Sequence, residues 1–227
     1  MQCRKPARIR AEIAGHGLNN WGRIPSWEAV QISISPRLPQ TAGQTVAALA
    51  EARGCDPVDQ VCDHLIADNG ATRVLITSIS EDDIREIVRS PSALVGSDGN
   101  CVATYGVVSQ GRPHPRFYGT FPRIIGRYVQ DERLIPLEQA IYKMTGGSAK
   151  ALKLRDRGLL KEGYRADITI FDPDDFRDEA TYADPHRYPS GPRTTVIVNG
   201  RVVVENATHT GALPGTVLRR AADGRVG

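Results

Sequence analysis

The chain has 227 residues, 40% of them hydrophobic and 24% charged. That length can bury one large core or two modest ones, and the average composition excludes wholesale disorder, a collagen-like rod and a disulfide-rich scaffold. Its 29 basic residues are scattered among 26 acidic ones for a net charge of +3, and no apolar run reaches the roughly 18 residues of a membrane span, so neither nucleic acid nor membrane is an expected partner. Met1–Asn20 is basic but has no apolar core, which excludes a secretory signal. Cys3, Cys55, Cys62 and Cys101 have neither C-x-x-C spacing nor a nearby His pair, and they read as reduced thiols of a cytoplasmic protein.

In chain order, Val30, Ile32 and Ile34 alternate with polar residues and predict a strand over 29–35. Thr41 is read as the cap of a helix running to Arg53, stopped by Gly54. Asp56-Pro57 opens a second helix whose apolar stripe is Val58, Val61, Cys62, Leu65 and Ile66. Arg73–Thr77 and Ala93–Val95 are short, continuously apolar runs. Between them lies a helix capped by Ser80 with Asp83 and running to Arg89. Strand, helix, strand with such runs predicts parallel strands buried on both faces, in an α/β sheet or barrel. Helices follow over 121–131 and 136–144. Beyond Leu154 the texture turns to β, and Asn199-Gly200 between two valine-rich runs predicts a type I′ hairpin. A complete (β/α)₈ barrel takes about 250 residues, so any barrel here is incomplete in this chain.

Two segments could carry chemistry. Gly96-Ser97-Asp98-Gly99 directly follows the run Ala93–Val95, and residues just past a parallel strand face the active site of an α/β fold. Asp-Gly is equally at home in an ordinary turn. His114-Pro-Arg-Phe-Tyr-Gly-Thr-Phe-Pro-Arg123 puts two arginines and a histidine on a stiffened loop. Its guanidinium forks suit a carboxylate; the alternative is a rigid loop whose arginines pair with surface acids. His16, His64, His186 and His209 are isolated and read as surface or satisfied core residues.

With Leu137-Glu-Gln-Ala-Ile-Tyr-Lys-Met-Thr145, Asp156-Arg-Gly158, Gly163-Tyr-Arg-Ala-Asp167 and Val198-Asn-Gly200, these segments resemble, in order, the C-terminal part of the N-acyl-D-amino-acid deacylases (D-aminoacylases) of the amidohydrolase superfamily. The likeness spans residues 73–222, with the HPRFYGTFPR string specific to this branch. It implies an α/β architecture: residues 1–155 as the last part of a (β/α)₈ barrel with a lid-like insertion over 19–71, and residues 156–227 as part of a small β-sandwich. It implies amide hydrolysis of N-acyl-D-amino acids, with Asp98 as general acid/base and Arg116, beside His114, holding the substrate carboxylate.

The family uses zinc, held by a His-x-His and further histidines and a cysteine. This sequence contains no such set, and Asp98 alone is at most a weak ligand. The chain is therefore expected to be a C-terminal fragment, without stoichiometric zinc and inactive alone, whose partner is either the missing N-terminal half or a second copy. Two rival readings are a non-catalytic remnant acting as a binding module and a hydantoinase- or dihydroorotase-like enzyme. The latter explains the HPRFYGTFPR string less well.

Overall fold

Local chemistry sets the best-specified elements. Helix α1 is Pro6–Ala14, α2 is Val46–Arg53 and α3 is Pro57–Ala67. The side chain of Asp56 accepts a hydrogen bond from the Val58 N–H, capping α3 as expected. Helix α2 starts later than predicted: Thr45, not Thr41, caps it, while Thr41 closes a separate 3₁₀ turn. Gly54 ends α2 at φ 62°, a left-handed stop that removes the penalty a Cβ would incur. The structure, a computed structural model, describes residues 6–14, 24, 26–221 and 226. Cys3 and His16 lie outside them.

The chain divides into two units, each with its own core. One comprises Met1–Ser80, Cys101–Pro115 and Thr181–His186; the other comprises Glu81–Asn100, Arg116–Ala180 and Arg187–Gly227. In the first, strand β1 (Val30–Ile34) pairs antiparallel with β2 (Arg73–Ile76). Val30, Ile32 and Val46 form the buried centre, with Trp27, Leu49, Val61 and Val74 packed around them. Helix α3 presents a different face from the one its apolar spacing suggests. Leu65 and Ile66 are exposed, whereas Gln60 and His64 are buried beside Val58 and Cys62. His64 is tolerated inside because its Nε2 lies 3.1 Å from the Ser35 hydroxyl, satisfying a group that burial alone would penalise.

The second unit holds helices α4 (Glu81–Arg89), α5 (Arg116–Arg123), α6 (Leu137–Met144) and α7 (Gly146–Leu152), with a π-helical stretch, Ile124–Asp131, continuing α5. Ile124, Ile125, Tyr128, Ile135 and Ala140 are its buried core. A four-stranded antiparallel sheet completes it, in the order β3 (Ile168–Ile170), β4 (Thr195–Val198), β5 (Arg201–Glu205), β6 (Thr208–His209). The β4–β5 turn has Asn199 at φ 48° and Gly200 at φ 76°, the positive values that its dipeptide predicts.

The motifs at 156–167 and 198–200 meet at that turn. Arg157 pairs with Asp167 and donates to Asn199 Oδ1 at 2.8 Å, while Asp167 accepts from the Asn199 N–H. Gly158 is indispensable here because a Cβ would sit 2.5 Å from that of Ala149. These motif residues build a structural lock.

The expectation of parallel, doubly buried strands is corrected. Strand β2 is antiparallel to β1 and exposes Arg73 and Ile76. Ala93–Val95 joins no ladder among the described residues. An apolar run specifies burial; it does not specify the strand that will pair with it. The fold is mixed α/β.

Candidate active site

Gly96–Gly99 follows Ala93–Val95 as irregular backbone. Asp98, at φ 46°, occupies the left-handed region that Asp and Asn tolerate better than most side chains. The turn is braced locally, with the Gly99 N–H donating to Ser97 Oγ at 3.2 Å. A Cβ on Gly99 would meet Ser97 Oγ at 3.1 Å and the Phe117 Cα at 3.5 Å, so the loop lies close to the start of α5.

Arg116, the first residue of α5, reaches this loop twice. Its Nη2 donates to Asp98 Oδ2 at 2.8 Å and its Nε to the Asp98 carbonyl at 3.3 Å. The guanidinium also lies 5.4 Å from the centre of the Phe117 ring. The Asp98 side chain is 89% exposed and that of Arg116 is 39% exposed. An ion pair in that much water is worth about 0–1 kcal/mol, so an incoming anion can exchange with it.

The two arginines of the 114–123 string have different surroundings. Arg123 donates to Asp178 Oδ2 and to Glu81 Oε1, both at 3.0 Å. Glu81 also accepts from Arg127 and from the Tyr128 hydroxyl. Burial pushes the Glu81 carboxyl upward, but the Tyr128 hydroxyl and the two guanidinium groups hold it below its ordinary range. Gly119 permits this crowding, since a Cβ there would lie 2.8 Å from that of Asp178. Arg123 is thus committed to the fold.

His114 belongs to the first unit, where its Nε2 is 3.0 Å from the Tyr182 hydroxyl and the rings meet edge to face. The structure therefore brings Asp98 and Arg116 together and places His114 in a separate contact with Tyr182. Sequence reasoning missed Lys143, a buried cation at the foot of the Asp98 segment. Its signal was the interval of three from Ala140, which puts both on one side of α6.

A model of the "Amidohydrolase family" matches residues 20–204. The chain belongs to the amidohydrolase family. Among its relatives is the D-aminoacylase of Alcaligenes xylosoxydans xylosoxydans, 36% identical over 210 residues, which cover 92% of this chain and 41% of the relative. A crystal structure of D-aminoacylase matches with a TM-score of 0.69 and 34% identity, covering 81% of this chain and 36% of that one. The N-acyl-D-glutamate deacylase of Bordetella bronchiseptica, solved with zinc and a phosphonate mimic of the tetrahedral intermediate, matches with a TM-score of 0.68 and 32% identity, covering 90% of this chain and 38% of that one. This amidohydrolase chain thus spans well under half the length of the relatives it matches.

A catalytic zinc needs a cluster of donors. Such a site takes about three protein ligands, and among the described residues no three His, Cys, Asp or Glu side chains converge. Asp98 offers one carboxylate, already shared with Arg116. Among the described residues Cys55, Cys62 and Cys101 form no disulfide, and no described helix is long and apolar enough to cross a membrane.

Proposed function

We propose that this chain carries part of the active site of an N-acyl-D-amino-acid deacylase, with the remaining residues, metal ligands included, supplied by polypeptide outside it. The Asp98–Arg116 pair supports this reading most directly: an exposed carboxylate and an exchangeable guanidinium sit together past the segment Ala93–Val95. In this reading Ala93–Val95 is a strand of a (β/α)₈ barrel whose ladder partners lie outside the chain. Residues 1–155 then form the end of that barrel, 19–71 its lid-like insertion and 156–227 part of a β-sandwich.

The chemistry follows from the two side chains. Substrate binding places the α-carboxylate of the N-acyl amino acid on the Arg116 fork, displacing Asp98. The freed Asp98 carboxylate takes a proton from the water that adds to the amide carbonyl, then delivers it to the departing nitrogen as the C–N bond breaks. The products are a carboxylate and a free amino acid. Where the completing polypeptide holds zinc, that metal would supply Lewis-acid chemistry.

The test is complementation. The chain is co-expressed with the part of the D-aminoacylase that its 210 matched residues do not cover, and hydrolysis of N-acyl-D-amino acids is assayed. Activity is expected in the complex, with Asp98→Asn lowering kcat about a thousandfold. Full activity of that variant would remove Asp98 from the mechanism. The chain alone is expected to be inactive and metal-free; one tightly held zinc per purified chain would overturn that.

A further inference from the structure

Lys143 is 3% exposed in the second unit, and among the described residues no carboxylate pairs with it. Its ammonium donates instead to two backbone carbonyls, those of Ser90 and Ala93, the latter at 2.8 Å. Its own carbonyl accepts from the Val95 N–H at 3.4 Å and from Ser148 Oγ at 2.7 Å. Lys143 therefore holds the segment that leads into Gly96-Ser97-Asp98 through both a donor and an acceptor.

The surroundings show why this grip matters. Ala93–Val95 joins no ladder among the described residues, so its polar groups have no neighbouring strand to satisfy them. Lys143 supplies a donor and an acceptor where a ladder would have done so. The same helical hairpin also fixes the segment by packing. A Cβ on Gly147 would lie 2.9 Å from Leu94 Cδ2, so the glycine lets Leu94 seat against the start of α7. Lys143 also lines a cavity of about 160 Å³ with Val88, Leu94, Val95 and Gly96. A buried ammonium is costly, and burial alone pushes its pKa down. An apolar side chain would fill this space at lower cost, so the cation is retained for what it holds.

We infer that Lys143 is the positioning residue for Asp98: through the Ser90 and Ala93 carbonyls it fixes the segment that aims the Asp98 carboxylate. The role rests on the proposed function of Asp98, but the immobilisation itself does not.

Hydrogen exchange tests the immobilisation in the isolated chain, and complementation tests its catalytic consequence. Lys143→Met keeps the shape and removes the donors. Amide exchange over 93–99 should accelerate about tenfold, with the β4–β5 hairpin unchanged. In the complemented enzyme kcat should fall about tenfold with KM within about twofold, and Lys143→Gln should recover part of it. Unchanged exchange over 93–99, or equal acceleration everywhere, overturns the proposal. If both variants fail to fold, native-state exchange of the wild-type chain decides. The Lys143 amide and those of Val95 and Gly96 must open in one event, and separate opening overturns the proposal. Should Asp98→Asn retain activity while Lys143→Met still loosens residues 93–99, the reading of Asp98 fails and the role of Lys143 in holding the segment stands.

Discussion

Two arginine–carboxylate clusters in the second unit use the same chemistry in different settings. At Asp98–Arg116 one carboxylate, 89% exposed, meets one guanidinium. At Glu81 a single carboxylate serves Arg123, Arg127 and the Tyr128 hydroxyl, and Asp178 shares Arg123. The Tyr128 ring belongs to the buried core, so the Glu81 cluster is tied to packing, whereas the Asp98 pair is tied to a loop. The amount of water and the tie to the packed core decide which pair can open for a ligand and which maintains the fold.

Substitutions can separate the two. The largest effect is expected at Arg116, where Arg116→Met in the complemented enzyme should raise KM tenfold or more, about 1.4 kcal/mol, with little loss of stability. Glu81→Ala should lower the unfolding free energy by about 1–2 kcal/mol in urea titration, the lower end reflecting its partial exposure. A comparable loss from Asp98→Asn, which the backbone angle tolerates, would erase the distinction between the clusters.

The next effect is a pH dependence. Arg85, and then Arg127, hold the Glu132 carboxyl at about 2, below its ordinary 4.5. A depressed carboxyl contributes stability above its ordinary pKa and loses it as pH falls toward the folded value. Stability should therefore drop between about pH 4.5 and pH 2, and Glu132→Gln should flatten that drop in acid-unfolding curves. The smallest effect is that of Asp98→Asn on the isolated chain, less than about 0.5 kcal/mol by the same urea titration.

Elements fixed by neighbouring residues were legible in the sequence. The Asp56-Pro57 cap, the Gly54 stop and the Asn199-Gly200 turn each follow from one or two side chains and a backbone angle. Partners distant in sequence were not. The apolarity of Arg73–Ile76 gave no sign that β1 would pair with it in the antiparallel sense. The apolar spacing of α3 suggested Leu65 and Ile66 for the interior, yet His64 and Gln60 are inside because tertiary hydrogen bonds satisfy them. At the candidate site the sequence pointed to Asp98 and Arg116 as chemically apt. Their pairing came from the placement of α5, and the commitment of Arg123 to Glu81 and Asp178 came from side chains more than forty residues away on each side. Lys143 escaped notice because its apolar neighbours Ile141 and Met144 marked the inner face without it.

The backbone angle of Asp98 limits which residues evolution can try at this position. At φ 46° glycine, asparagine and aspartate are the most comfortable residues, and β-branched side chains are strained. Glutamate keeps the acid but lacks the short side chain that bonds its own backbone there, so it is less favoured. Among the most comfortable residues, only aspartate carries a proton-accepting group, so drift here leads from an acid directly to an amide or to no side chain, with no intermediate in between.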